Sequence, residues 1–232
     1  MEELAKQFYM DGCIINQWKK TPLYDKFMST LKEIYDEKLR DGFQLKQKYP
    51  HSFDIRPQAF EYDSSIIDIL FENDVHKILR DAIGSSAILT HVQIRNAFSY
   101  PEKGHSYQMW HRDSYVYGDK GYGNLPPGYK IIFYPSFENP SEPVLSVVKG
   151  SHIKMMENQE KDWEVDRNKL HTLNNNNDDF LFFDVSLQHS TEHVKTKNQR
   201  IIYNFNHRCF AHRYEDAKKC QEMWNEGCIK YA

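Results

Sequence analysis

The segment Trp110-His111-Arg112-Asp113 constrains the fold of this chain more than any other stretch. On an extended strand, His111 and Asp113 present their side chains to the same face, because strand side chains alternate with period 2. A second imidazole from a distant strand, His189, would complete a set of two histidines and one carboxylate. That set leaves coordination positions open and is the facial triad expected for non-haem Fe(II). We therefore expect two distant strands to meet around a metal ion.

Hydrophobic spacing predicts helices near both ends of the chain and short strands between them. Helical patterns cover residues 2–9, 22–39 and 214–231. Two further helices are predicted to begin after the candidate N-caps Asp63-Ser64 and Asp74, and the second ends at Gly84. Patterns typical of strands cover residues 13–15, 87–98, 130–135, 143–148, 180–185 and 200–205. Short, closely spaced strands favour a double-sheet jelly roll of the cupin kind, with the helices packed on its outside.

The length predicts one domain across residues 1–232. We expect N-terminal helices over about 1–84, a mainly β jelly-roll core over about 85–210, and a C-terminal helix over about 212–232. A glycine- and proline-rich loop, 118–128, follows the His-x-Asp segment, where it would overhang the mouth of a barrel.

Composition excludes several classes of function. A net charge of −3 and a pI near 6.4 provide no basic footprint for nucleic acid. The sequence has no apolar run long enough for a membrane span and no basic start of a signal peptide. The four cysteines form no Cys-x-x-Cys pair and no zinc spacing. We therefore expect a reduced, cytoplasmic protein with a small-molecule substrate; the sequence does not indicate its oligomeric state.

Four motifs in order carry a family resemblance. A helix end, glycine turn and strand run from Phe8 to Ile15; the His-x-Asp segment comes next; a Gly-Ser-His turn follows at 150–152; and Arg200 lies eleven residues after His189. In this order the chain resembles the phytanoyl-CoA dioxygenase-like branch of the Fe(II)/2-oxoglutarate-dependent oxygenases. The resemblance covers about residues 8–206 and implies the double-stranded β-helix, which is the same jelly-roll barrel.

The resemblance also implies the chemistry. Fe(II), 2-oxoglutarate and O2 would be required, 2-oxoglutarate would be converted to succinate and CO2, and a C–H bond of the substrate would be hydroxylated. The retained carboxylate of Asp113 favours hydroxylation over halogenation, because halogenases of the family lack it. His193 competes with His189 for the third ligand position, but it would leave Arg200 only seven residues downstream, against the spacing of the family.

The same resemblance implies residues that bind the co-substrate. Arg200 matches the arginine that grips the distal carboxylate of 2-oxoglutarate, as arginine can do with two parallel hydrogen bonds. Thr191 matches a hydroxyl that assists it. Gln93 and Arg95 share one face of the preceding strand and are further candidates for co-substrate contacts, although a surface-facing alternation would produce the same pattern.

Tyr115 and Tyr117 continue the face of His111 and Asp113, so they line the substrate pocket or belong to the core. Two other functions stay open on the sequence alone. One is a metal-dependent cupin isomerase or epimerase without 2-oxoglutarate, which the spacing of Arg200 disfavours. The other is a non-catalytic jelly roll that acts as a binding module, which the intact ligand residues disfavour.

Overall fold

A computed structural model describes residues 2–40, 52–55, 59–83, 87–97, 110–113, 128–137, 143–153, 165–174, 178–191, 198–207 and 218–231. Its helices are α1 (Glu2–Asp11), α2 (Pro22–Arg40), α3 (Ser65–Glu72), α4 (Val75–Ile83) and α5 (Lys218–Lys230). Its strands are β1 (Cys13–Gln17), β2 (Ser52–Ile55), β3 (Ala87–Ala97), β4 (Gly128–Phe133), β5 (Pro143–Val148), β6 (Leu170–Asn174), β7 (Asp179–Asp184), β8 (His189–Ser190) and β9 (Asn198–His207). The expected class, mainly β with flanking helices, is confirmed.

The strands form two antiparallel sheets. The larger has six strands in the order β1-β7-β4-β9-β3-β2, and the smaller has three in the order β6-β5-β8. Neighbours that are distant in sequence, such as β3 and β9, pair along their length with a single irregularity between Leu89 and His91. Strands from the first and last thirds of the strand sequence therefore lie side by side within the larger sheet.

One face of the larger sheet packs against the helices. Ile201, Tyr203 and Phe205 of β9 are fully buried on this face. The Tyr203 hydroxyl donates to the carbonyl of Ile66 in α3 over 2.8 Å, and the Phe205 ring packs edge-on against Trp224 of α5. The helices thus lie outside the sheets, as the amphipathic patterns predict.

The other face of the larger sheet packs against the smaller sheet. Ile132 of β4, Phe183 of β7 and Ile202 of β9 form one hydrophobic cluster with Val147 of β5 and Leu173 of β6. Arg200, Asn204 and the other residues of β9 on the same face as Ile202 project into the interior between the two sheets.

The structure differs from the predicted elements at several places. Strand β6 was not predicted, because only Leu173 in it is buried and its remaining positions are polar or partly exposed. Strand β4 begins two residues earlier than expected and β1 extends to Gln17. His111 and Asp113 do not lie in a regular strand of the described chain, since only an isolated bridge forms at His111. No helix in the described ranges is long and apolar enough to cross a membrane.

Gly227 in α5 provides a test of how tightly that helix packs. A Cβ atom at this position would lie 2.2 Å from ring atoms of Phe71 in α3. Glycine to alanine normally stabilises a helix by about 1 kcal/mol, but here the added methyl group has no room. We expect Gly227→Ala to lower the free energy of unfolding by about 1–3 kcal/mol in urea titrations. Glu226→Ala, an exposed neighbour in α5, is the control and should leave it nearly unchanged.

Candidate metal centre and polar interior

His111 and His189 are brought together by the backbone. The amide of each donates to the carbonyl of the other over 3.0 Å, so the two residues form an isolated antiparallel bridge. Their imidazole rings lie with centroids 4.2 Å apart. His189 belongs to β8, which pairs with β5 through Val147, and this fixes the bridge to the smaller sheet.

Asp113 is positioned by the turn that follows β7. Its amide donates to the carbonyl of Val185 over 2.9 Å, and the amide of Val185 donates to the carbonyl of Gly128 at the start of β4. The carboxylate lies 3.7 Å from Nε2 of His111 and 3.4 Å from Nε2 of His189. Three ligand atoms therefore face one another closely enough to hold one metal ion.

The tautomer of His189 suits metal ligation. Its Nδ1 lies 2.8 Å from the carbonyl oxygen of Leu187. Since a carbonyl only accepts hydrogen bonds, Nδ1 carries the proton and the lone pair of Nε2 is left for a metal. Burial lowers the pKa of His189, and the opposing charge of Asp113 does not reverse this, so the ring favours its neutral form.

The carboxylate of Asp113 is held ionised. Burial opposes its charge, but the ammonium of Lys130 makes the largest opposing contribution and, together with the contacts to the two histidines, holds the pKa of Asp113 well below 3.8. Lys130 donates to Oδ2 of Asp113 over 2.6 Å. A neutral imidazole and an ionised carboxylate are the forms that a divalent metal binds.

Arg112, between the two ligands in sequence, lies buried behind them. Its Nη1 donates to the carbonyl of Ser151 over 2.9 Å and to that of Ser186. The Ser151 hydroxyl in turn accepts from the amide of Gln188 over 2.8 Å. The turn at 150–152 therefore has a structural role: it ties the His-x-Asp segment to the residues that lead into His189. Gly150 has the φ of +72° that this turn requires.

The four residues expected to contact the co-substrate occupy the interior of the two sheets or its edge. Arg95 and Arg200 lie directly opposite each other on β3 and β9, and Gln93 lies opposite Ile202. Arg200, Gln93 and Thr191 are all buried. Among the described residues no partner accepts from Nε of Arg200 or Nε2 of Gln93, and none bonds Oγ1 of Thr191. Buried polar atoms of this kind call for a partner.

Two interior residues were not singled out in the sequence. Tyr134 is buried beside Arg200; burial raises the pKa of its hydroxyl, and the charge of the guanidinium opposes that rise. Lys130 contacts a candidate metal ligand. Both share the strand parity of Ile132, which points inward. A charged residue at an inward position of an apolar strand was the available signal for Lys130.

Several predicted features lie outside the described residues. They are Tyr115 and Tyr117, the rival histidine His193, and the loop at 118–128 except for its last residue. Their roles stay predictions.

Comparison with known proteins locates the fold. No family model matches the chain, and no curated protein matches it. The non-heme alpha ketoglutarate dependent epimerase SnoN from nogalamycin biosynthesis superposes with a TM-score of 0.63, covering 89% of this chain and 80% of its own at 9% identity. This chain shares its fold.

Two further structures agree. HygX from Streptomyces hygroscopicus, solved with nickel and 2-oxoglutarate bound, gives a TM-score of 0.58 at 13% identity, covering 89% of this chain and 87% of its own. AviO1 from Streptomyces viridochromogenes Tue57 gives 0.60 at 13% identity, covering 88% and 94%. At these identities the likeness is one of fold.

Metal binding at this site should depend on pH through the imidazole of His189. Asp113 stays ionised while His189 titrates, because the pKa of Asp113 lies well below 3.8. His189 has a pKa below 6.5, so protons displace metal from it only under more acidic conditions than for free histidine. We expect Co(II) affinity, measured by calorimetry, to be constant above about pH 7 and to fall on acidification only once the pH is below the lowered pKa of His189, by up to about tenfold per unit. A decline confined to the region below about pH 4 would instead assign the titration to the carboxylate.

Proposed function

We propose that this protein is an Fe(II)- and 2-oxoglutarate-dependent oxygenase with a double-stranded β-helix core of the phytanoyl-CoA dioxygenase-like kind. The observation that carries the proposal is the combination of two features between the same two sheets: a His-Asp-His cluster, and a buried arginine whose Nε has no partner among the described residues. The first fits a metal with open positions, and the second fits the carboxylate of an organic acid.

The donor set fits Fe(II). His111 and His189 offer imidazole nitrogens and Asp113 offers one carboxylate oxygen, a combination that leaves three of six positions for other ligands. Solved proteins of this fold contain comparable groups: SnoN is complexed with Fe3+ and alpha ketoglutarate, and HygX with nickel and 2-oxoglutarate. When bound, the iron and 2-oxoglutarate would supply the oxidising chemistry, with O2 consumed and succinate and CO2 released.

The interior also fits a dicarboxylate. Arg200 is four residues along β9 from Asn204, which is level with Lys130 in the neighbouring strand. The spacing is about 13 Å along the strand, which an extended five-carbon diacid and the arginine side chain can span together. Arg95 lies opposite Arg200, and like charges in that position repel. A carboxylate shared with Thr191 and Gln93 would relieve the repulsion and satisfy the buried donors.

We propose that the substrate is a small molecule that binds beside the metal. The residues around it would hold it there and exclude water. Related folds accept small molecules: HygX has been solved with hygromycin B, and SnoN with nogalamycin RO. Hydroxylation of a C–H bond remains the proposed outcome. Epimerisation is the second candidate, because SnoN is an alpha ketoglutarate dependent epimerase of the same fold.

Turnover assays with candidate metabolites test the proposal. We expect succinate release that depends on both Fe(II) and 2-oxoglutarate, and its loss in His111→Ala and His189→Ala together with the loss of one bound Co(II) per chain. Mass spectrometry separates the outcomes, since hydroxylation adds one oxygen atom to the product and epimerisation leaves its mass unchanged. Wild-type metal affinity in either histidine variant would remove that residue from the site.

Arg200→Ala tests the co-substrate site separately. Truncating one partner of a buried charge pair lowers the binding free energy by roughly 2–5 kcal/mol. We therefore expect the affinity for 2-oxoglutarate to fall by about 30-fold or more while Co(II) binding persists. Calorimetric titration of the Co(II)-loaded protein gives both values. The control is Arg80→Ala, an exposed arginine of α4 that is half accessible to solvent. An equal affinity in wild type and Arg200→Ala would make this arginine structural.

A further inference from the structure

Lys130 occupies an unusual position for a lysine. Strand β4 alternates, and Lys130 has the parity of Ile132, which is buried between the two sheets. Its partner residues across the strand pairs are Phe183 on β7 and Asn204 on β9. The side chain is only 20% exposed. A lysine that loses this much hydration needs a compensating charge.

That charge is the carboxylate of Asp113. The Nζ–Oδ2 distance of 2.6 Å is that of a short, charge-assisted hydrogen bond. Lys130 extends from the larger sheet, whereas His189, another neighbour of this carboxylate, belongs to the smaller sheet. The ion pair therefore joins the larger sheet to the candidate metal ligand and engages Oδ2, while Oδ1 faces Nε2 of His111.

The ammonium changes the charge of the site. Lys130 cancels the charge of Asp113, and imidazole ligands are neutral. With the lysine, a divalent metal keeps its full charge at the site; without it, the carboxylate would neutralise half of that charge. The ammonium of Lys130 repels a metal cation and attracts an anionic ligand, so it disfavours metal binding and favours the binding of anions.

We propose that Lys130 is a positioning residue that holds one oxygen of Asp113 and sets the charge of the metal centre for an anionic ligand, which, on the proposed function, is 2-oxoglutarate. The lysine lowers the intrinsic affinity for the metal and raises the affinity of the metal-loaded site for a dicarboxylate. A lysine with only a structural role would not move these two affinities in opposite directions.

Lys130→Met tests this with two titrations, of Co(II) into metal-free protein and of 2-oxoglutarate into Co(II)-saturated protein. Methionine keeps most of the side-chain length and removes the charge. We expect Co(II) to bind about tenfold tighter or better and 2-oxoglutarate about tenfold weaker or worse. Lys130→Arg keeps the charge and should restore both values towards wild type. Lys149→Met is the matched control, since it breaks another part-buried lysine–aspartate pair, with Asp11 at 3.0 Å.

The outcomes separate the two proposals. Failure of the wild-type protein to bind Co(II) or 2-oxoglutarate would overturn the proposed function. Normal binding by the wild type, with both affinities unchanged in Lys130→Met or both reduced together, would overturn the role of Lys130. Thermal melting of each metal-free variant identifies loss of the fold, and in that case Lys130→Gln replaces the methionine variant in the same two titrations.

Discussion

Two backbone hydrogen bonds between His111 and His189 are the contact on which the candidate site depends. They join a segment that precedes β4 to the two-residue strand β8, and they set the two imidazoles side by side before any metal is considered. If only side-chain contacts joined the two segments, the rotatable side chains would have to be ordered without a fixed backbone. A ladder contact fixes the backbone first, so that only the last rotations of the rings stay free.

The alternation of side chains along β9 then divides the molecule into two interiors. Ile201, Tyr203 and Phe205 pack towards the helices, whereas Arg200 and Asn204 project between the sheets. A single strand thus contributes to the hydrophobic core against the helices on one face, and on the other face it places Arg200 and Asn204 beside the apolar Ile202 between the sheets. The buried aromatic residues on the helix side make the strand rigid, and this rigidity holds Arg200 in place on the opposite side.

The sheet-rich architecture could be inferred from the sequence because the apolar strands are short and regular. The two-residue spacing of His111 and Asp113 predicted that their side chains lie together; the structure places both near His189, although their segment forms only an isolated bridge. The contact of Lys130 with Asp113 could not be inferred, because Asp113 lies seventeen residues away in a segment with no periodic relation to β4. Strand β6 was missed for a similar reason: its pairing with β5 depends on backbone bonds, and its side chains carry little hydrophobic signal.

The pairing of β9 with both β3 and β4 limits how the gene can change. Deleting or inserting one residue near Arg200 would exchange the two faces of β9. Arg200 and Asn204 would then face the helices, and Ile201 and Tyr203 would face the space between the sheets. Substituting a single residue does not shift the register of β9, since it changes one side chain on one face of the strand. Within this strand, a change of length is therefore expected to destabilise the fold more than the substitution of one side chain, whereas the segments between strands tolerate changes of length.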